Sequence, residues 1–248
     1  MTLPDFQIIE LDIVDSTNNY AMHLIDVNKA LPGMTIVAQK QTGGKGQRGK
    51  KWIDTPGESL LMSIITDPER LITDQFIFNC SIAVAIANVL QKFHNNWDVR
   101  IKWPNDIIIN DKKAGGILIE NILRGSNWTN SVIGLGLNVK QENFPPELPF
   151  ATSLKIESGI DFDLVQLRDS LRENIISTAM NSLPGEITLN LYNEYLYKRG
   201  LKQSFSNGNQ EWNTTILNVK PDGTLQVQLE DGTIVYYHHG QVEWVWGA

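Results

Sequence analysis

Val99-Arg100-Ile101-Lys102-Trp103-Pro104-Asn105-Asp106-Ile107-Ile108-Ile109-Asn110-Asp111-Lys112-Lys113-Ala114-Gly115-Gly116-Ile117-Leu118-Ile119-Glu120 contains three short apolar runs broken by Pro104-Asn105 and Asp111-Lys112. Runs of this length rich in Val and Ile read as strands. The breaks are too short for a crossover helix, so neighbouring strands must run antiparallel. Strands are therefore predicted at 99–102, 107–109 and 117–120, with a further one at 131–139 after Gly125-Ser126.

Working outward, residues 6–11, 34–39 and 59–66 read as strands. Asp15-Ser16-Thr17-Asn18 offers N-cap oxygens ahead of Tyr20, Ala21, Leu24 and Ile25, which recur at helical spacing. Residues 73–93 carry the strongest helical stripe, Phe76, Ile77, Cys80, Ala83, Val84, Ala87 and Leu90, with Asp74 suiting the helix dipole at its start. Pro145, Pro146 and Pro149 mark an irregular crossing before predicted helices at 164–181, capped by Asp163 with Gln166 in capping-box register, and at 187–198. Beyond Gly200 brief strands at 214–219, 225–229 and 234–237 alternate with Pro221-Asp222-Gly223 and Asp231-Gly232. The expectation is an α+β fold: a mixed, largely antiparallel sheet flanked by helices over residues 1–199, then a small all-β unit over 200–248 with the size of a five-stranded SH3-like barrel.

The chain has 248 residues, a formal charge of −7 and one cysteine, Cys80. A lone cysteine in an apolar run reads as packing and suits a reducing compartment. Residues 1–30 do not resemble a signal peptide, and no apolar run is expected to reach the roughly 20 residues that span a bilayer. The reading is a cytoplasmic protein. The acidic balance argues against broad nucleic-acid binding while leaving room for a local basic site. His23, His94, His238 and His239 fall in no metal-ligand spacing, so no metal ligand is assigned.

Between Gln41 and Trp52, Gly43, Gly44, Gly46 and Gly49 alternate with Lys45, Arg48, Lys50 and Lys51. Glycines let backbone N–H groups approach a ligand, and clustered cations repel unless an anion sits among them, so phosphate is the natural occupant. Gly44-Lys45-Gly46-Gln47-Arg48-Gly49 spells G-x-G-x-x-G, but Lys50-Lys51-Trp52-Ile53-Asp54-Thr55-Pro56-Gly57 cannot open the buried helix that a dinucleotide site requires. No G-K-[ST] ending follows either. The plain alternative is a basic surface loop. Three other segments place polar groups or bare backbone where strands end: Lys102-Trp103-Pro104-Asn105-Asp106, Lys113-Ala114-Gly115-Gly116-Ile117 and Gly134-Leu135-Gly136-Leu137-Asn138. Each alone reads as well as a turn or a bulge, and Ser16-Thr17-Asn18 reads as a cap. Alternate glycines on one face also suit a flat ligand lying across it.

Taken in register from Asp15 to the tail, these five segments resemble the biotin protein ligases, also called biotin–[acetyl-CoA-carboxylase] ligases, whose catalytic domain is class II synthetase-like. The resemblance implies an enzyme that adenylates biotin with ATP and Mg²⁺ and passes it to one lysine of a biotin carboxyl carrier domain. It implies biotin contacts from Ser16, Thr17, Asn18, Gln41, Lys45, Gly46, Gln47, Gly115, Gly116, Gly134 and Gly136. Nucleotide contacts would come from Gly44, Arg48, Lys50, Trp52, Lys102, Asn105 and Asn138. Lys113 would meet the biotin carboxylate and α-phosphate, and Asp106 would orient or deprotonate the incoming lysine. Lys45, Gln47 and Lys50 stand where the family spells arginine, so the adenylate is expected to be held less tightly. Only fourteen residues precede Asp15, so a form without the DNA-binding domain of many bacterial relatives is expected, with no DNA or membrane partner. Sheet edges would serve the carrier or a homodimer. The alternative is a lipoate protein ligase-type acyl transferase.

Overall fold

A computed structural model describes residues 6–68, 74–125, 127–181 and 183–246. A seven-stranded sheet runs in the order β1 (Ile8–Val14), β2 (Thr35–Gln41), β3 (Ser59–Thr66), β7 (Asn127–Asn138), β6 (Lys112–Arg124), β5 (Asp106–Ile109) and β4 (Val99–Lys102). Every pairing is antiparallel except β1 with β2, which α1 (Thr17–Asp26) connects. A parallel pair needs a crossover, and α1 supplies it. The fold is α+β, as expected.

β3 is buried along its whole length, and its alternate residues face two layers. Leu60, Met62 and Ile64 join the cluster built on α2 (Gln75–Phe93) and α4 (Leu164–Met180), while Ile65 joins Ala21, Leu24 and Ile25 of α1. By length and composition α2 could cross a membrane, contrary to the expectation that no segment would. However, 56% of its apolar window is buried inside the fold, where it is the central core helix. Cys80 is fully buried there and burial pushes its thiol well up, as a packing residue requires. Asp163 caps α4 by accepting from the Val165 and Gln166 amides; the start of the 73–93 prediction, Thr73, lies outside the described residues, as does Ser126.

β6 and β7 form a ribbon of 13 and 12 residues, far longer than the predicted runs, because pairing carries on through polar Asn121 and Asn130. α5 (Gly185–Tyr195) stops before 198 because Leu196 turns extended and bridges Ile101 of β4. A short α3 (Leu154–Ser158) had no periodic signal in the sequence. The tail forms an open antiparallel sheet in the order β11 (Ile234–Tyr237), β10 (Leu225–Leu229), β9 (Glu211–Val219), β8 (Lys202–Ser206) and β12 (Glu243–Trp244). No closed barrel forms among the described residues. Polar β8 and two-residue β12 were not foreseen.

The second sheet is seated on the first. Phe205, Ile216, Val219, Leu225 and Val227 belong to the same apolar cluster as β3 and α2. Asn193 of α5 donates to Val219 O at 3.1 Å and accepts from Val219 N at 2.7 Å, and Trp103 Nε1 donates to Gly223 O at 3.0 Å.

Candidate functional site

A cleft of about 630 Å³ opens on the α1 side of the large sheet, walled by the 41–52 loop, the β4–β5 turn and the 239–244 segment of the second sheet. Of the residues singled out in the sequence it is lined by Ser16, Thr17, Asn18, Gln41, Lys45, Gly46, Gln47, Arg48, Lys50, Trp52, Lys102, Asn105, Asp106, Lys113, Gly116, Gly134 and Gly136. Gly44, Gly115 and Asn138 are not in its wall. A Cβ on Gly44 would lie 2.7 Å from Trp52 O and one on Gly115 2.9 Å from Gly136 O, so both serve backbone packing. Asn138 is buried and donates to Thr152 O at 3.0 Å.

One end of the cleft is a braced polar pocket. Ser16 holds the N-cap position of α1 without a side-chain cap bond, so capping does not account for its hydroxyl. Gln41 Oε1 accepts from both Thr17 N (2.8 Å) and Thr17 Oγ1 (3.2 Å), which fixes its amide with the NH₂ turned away as a donor. Asn18 Nδ2 donates to Glu120 Oε2 (2.7 Å) and Leu118 O (3.3 Å), and its Oδ1 lies 2.6 Å from Ser63 Oγ. Asn18 thus has most of its bonding capacity filled by protein and acts as a brace. Gly134 makes room for it: a Cβ there would lie 2.3 Å from Asn18 Oδ1. Ser63 and Glu120 were missed; a serine among Leu61, Met62, Ile64 and Ile65 was the available signal, as was Glu120 in step with Gly116 and Leu118.

The other end is cationic. Lys45, Arg48, Lys50, Lys51, Lys102 and Lys113 line the cleft against two carboxylates, Asp106 and Glu243, in a chain of net charge −7. A bulge positions Lys113. The β5–β6 register runs Ile107 with Gly115 and then Ile108 with Lys113, so Ala114 is the extra residue. That slip brings Lys113 to the same face as Gly116, residues that a regular strand would put on opposite faces. Lys113 Nζ lies 2.7 Å from Asp106 Oδ1, while Lys113 N donates to Phe150 O at 2.7 Å and its carbonyl accepts from Thr152 N. Asn105 lines the cleft but donates to Ile117 O at 2.6 Å, tying the turn to β6.

Lys102 sits 5.0 and 4.9 Å from the ring centres of Trp244 and Trp246, and burial pulls its ammonium down to about 8, against Asp106, which holds it up, and Lys113 and Lys50, which lower it. The 41–52 loop is a small flap. Lys45 bridges Lys51, Gly46 N donates to Lys50 O at 2.7 Å, and a short 3₁₀ turn spans Gln47–Gly49. At the flap's end the Trp52 indole lies on bare backbone: a Cβ on Gly136 would be 2.7 Å from Trp52 Cε2 and one on Gly116 3.5 Å from Cζ3. Trp52 Nε1, Gln47 Oε1 and Asp54 Oδ2 are buried without a partner among the described residues, and burial raises the Asp54 carboxyl. The Arg48 guanidinium reaches away from the floor, donating to His239 O at 2.8 Å.

The chain is similar to known proteins of one family. The bifunctional ligase/repressor BirA of Bacillus spizizenii is 36% identical over 159 residues, 63% of this chain and 48% of that protein. The biotin–protein ligase of Homo sapiens is 27% identical over 222 residues, 83% of this chain and 30% of that protein. The chain spans about half the length, or less, of these curated relatives. Among solved structures, the biotin protein ligase from Aquifex aeolicus in complex with biotin and ATP shares the fold with a TM-score of 0.78 at 22% identity, covering 97% of this chain and 99% of that one. A model of the Biotin/lipoate A/B protein ligase family matches residues 10–138, which contain the loop, the bulge and the glycine strand, and the chain belongs to that family.

Proposed function

We propose that the chain is an ATP-dependent biotin protein ligase, forming biotinyl-5′-AMP and transferring the biotinyl group to a lysine of a biotin carboxyl carrier domain in the cytoplasm. The observation that carries this reading is the union, in one cleft, of a braced polar pocket with a six-cation wall, and of Lys113 with the glycine floor between them. The names of the relatives point the same way.

In the first step a carboxylate oxygen of biotin bonds to the α-phosphorus of ATP and the bond to pyrophosphate breaks. Two anions must meet, so fixed cations have to be in place beforehand. Lys113 would sit at the joining carboxylate and phosphate, with Lys45, Lys50 and Lys102 along the remaining charge. Gln41 Nε2, aimed by Thr17, and Ser16 would read the polar head group. In the second step the lysine amine bonds to the acyl carbon and AMP leaves. Asp106, already at the Lys113 ammonium, has a second oxygen to orient the incoming amine and take its proton. The flap of residues 44–52 would exclude water from the mixed anhydride.

No group of three or more His, Cys, Asp or Glu side chains capable of holding a metal occurs among the described residues. Mg²⁺ would therefore arrive on the nucleotide phosphates as part of the substrate. We assign residues 1–199 to catalysis and 200–248 to the unit that closes the nucleotide end through Trp244 and Trp246.

Incubation with ATP, Mg²⁺, biotin and a carrier domain, read by intact mass, tests the proposal. A carrier gaining one biotinyl group supports it. A carrier unchanged with biotin but modified with lipoate would transfer the reading to lipoate ligation.

A further inference from the structure

We infer that Arg48, in place of binding phosphate, works as a latch that holds the glycine-rich flap shut against the second sheet, with the backbone at His239 and Gly240 as its catch. The inference deepens the proposed function and rests on it for the identity of the trapped ligand. Arg48 Nη1 donates to His239 O at 2.8 Å across 191 residues of sequence. The guanidinium lies directly above Gly240: a Cβ at that position would be 1.5 Å from Arg48 Nη1 and 2.0 Å from Cζ. Only a glycine leaves that notch open, and Gly240 also sits at a φ of +86°, in the left-handed region glycine favours.

The two sides of the contact are both held. The His239 ring stands edge-on to Trp103, centres 5.7 Å apart, and Trp103 is anchored through Nε1 to Gly223 O. On the flap side Arg48 is the one non-glycine residue between 43 and 52 with positive φ, at 55°, a conformation whose free-energy cost the engaged side chain offsets. The two arms of the flap are tied into one unit by the Lys45–Lys51 bridge and the Gly46 N to Lys50 O bond. Its far end is Trp52, lying over Gly116 and Gly136. Releasing Arg48 therefore frees the cover of the floor.

A phosphate-binding arginine and a latch make opposite demands on an experiment without nucleotide. With biotin alone, Arg48→Ala is expected to speed biotin dissociation about five- to tenfold, the range of a charge-assisted hydrogen bond at an exposed site. Arg48→Lys restores part of it, and Gly240→Ala, which fills the notch with Arg48 intact, repeats the effect. In the ligand-free protein both alanine variants are expected to raise amide hydrogen exchange across residues 45–51, a readout that needs no ligand and holds if Gly240→Ala is too unstable to use. Unchanged exchange and an unchanged biotin off-rate in Arg48→Ala, with ATP affinity alone reduced, would overturn the latch and restore the phosphate contact. A wild-type protein that binds no biotin, yet whose flap exchange rises in the variants, would sink the ligase reading and leave the latch standing.

Discussion

The two ends of the cleft are built on opposite principles. Around buried Thr17, Asn18 and Ser63 and half-buried Gln41 and Glu120, polar side chains are bonded to one another, so the pocket exists before any ligand arrives. Around the flap, polar atoms of Gln47, Trp52 and Asp54 are buried without partners among the described residues, and cations crowd together. The first end is suited to recognising one shape, because its donors cannot rearrange cheaply. The second gains most of its order when an anion neutralises it, which suits a step where charge develops and then departs.

The sharpest way to separate the ends is to remove the charge at their junction. Lys113→Ala is expected to lower carrier labelling by a factor of about 10² or more, as loss of a charge that stabilises the transition state does. Biotin binding without ATP should stay within a few-fold, since the braced pocket does not use Lys113. Titration calorimetry beside a labelling assay reads both; equal losses in the two would mean that the ends are a single unit.

Next in size is a methyl group at the braced end. Gly134→Ala drives a Cβ to 2.3 Å from Asn18 Oδ1, an atom held by Ser63, so the bracing must break. About 1–3 kcal/mol of lost hydrogen bonding corresponds to a ligand weaker by roughly fivefold to 150-fold. Gly116→Ala at the flap end meets only ordinary contacts of 3.5 Å to Trp52 and 3.6 Å to Asp106, and should cost much less. Matched affinities for the two variants would erase the distinction between pre-built and adaptable ends.

The two ends were also unequally legible in the sequence. Alternation and short turns sufficed for β3, β4 and β5, because strands buried on both faces or closed by tight turns carry their own local signals. Most of the motif residues, though not Gly44, Gly115 or Asn138, converged on the cleft for the same reason: glycines and turn residues have local backbone causes. Glycine itself was ambiguous, since Gly134 accommodates Asn18, Gly115 packs on β7 and Gly136 lies under Trp52, three uses with one spelling. A polar residue out of place in an apolar strand flags Ser63 and Glu120 but not what they hold, since their partners are 45 and 102 residues away, and nothing local announces the His239–Gly240 catch, whose partner is 191 residues away. β8 and β12 were invisible because their pairing, not their composition, makes them strands.

Lys102 offers a pH-dependent measure of how far the cationic end is strained. Its folded value of about 8 lies below the usual 10.5, so between those limits the unfolded chain binds more protons and stability rises with pH. Below pH 8 the full cost of the buried ammonium is present, less what Trp244 and Trp246 return. Lys102→Met is therefore expected to stabilise the protein by about 1–2 kcal/mol at pH 7, a Tm gain of a few degrees, shrinking toward zero as pH approaches 10. Thermal unfolding at both pH values checks it, and a gain that grew with pH would reverse the assignment.

The smallest effect is expected at Gln47, where the flap departs from the family spelling. Its Oε1 is buried without a partner among the described residues while the side chain lines the cleft, so an arginine there would replace an unbonded acceptor by a cation facing the same space. Gln47→Arg should slow release of biotinyl-5′-AMP by a few-fold and make that release more sensitive to salt, because the added interaction is electrostatic and partly screened. Biotin alone, which the proposed function seats at the braced end, should leave at the wild-type rate. An adenylate off-rate indifferent to the substitution would show that Lys45, Lys50 and Lys51 already saturate the flap's hold on the phosphate, and that its departure from arginine carries no functional cost.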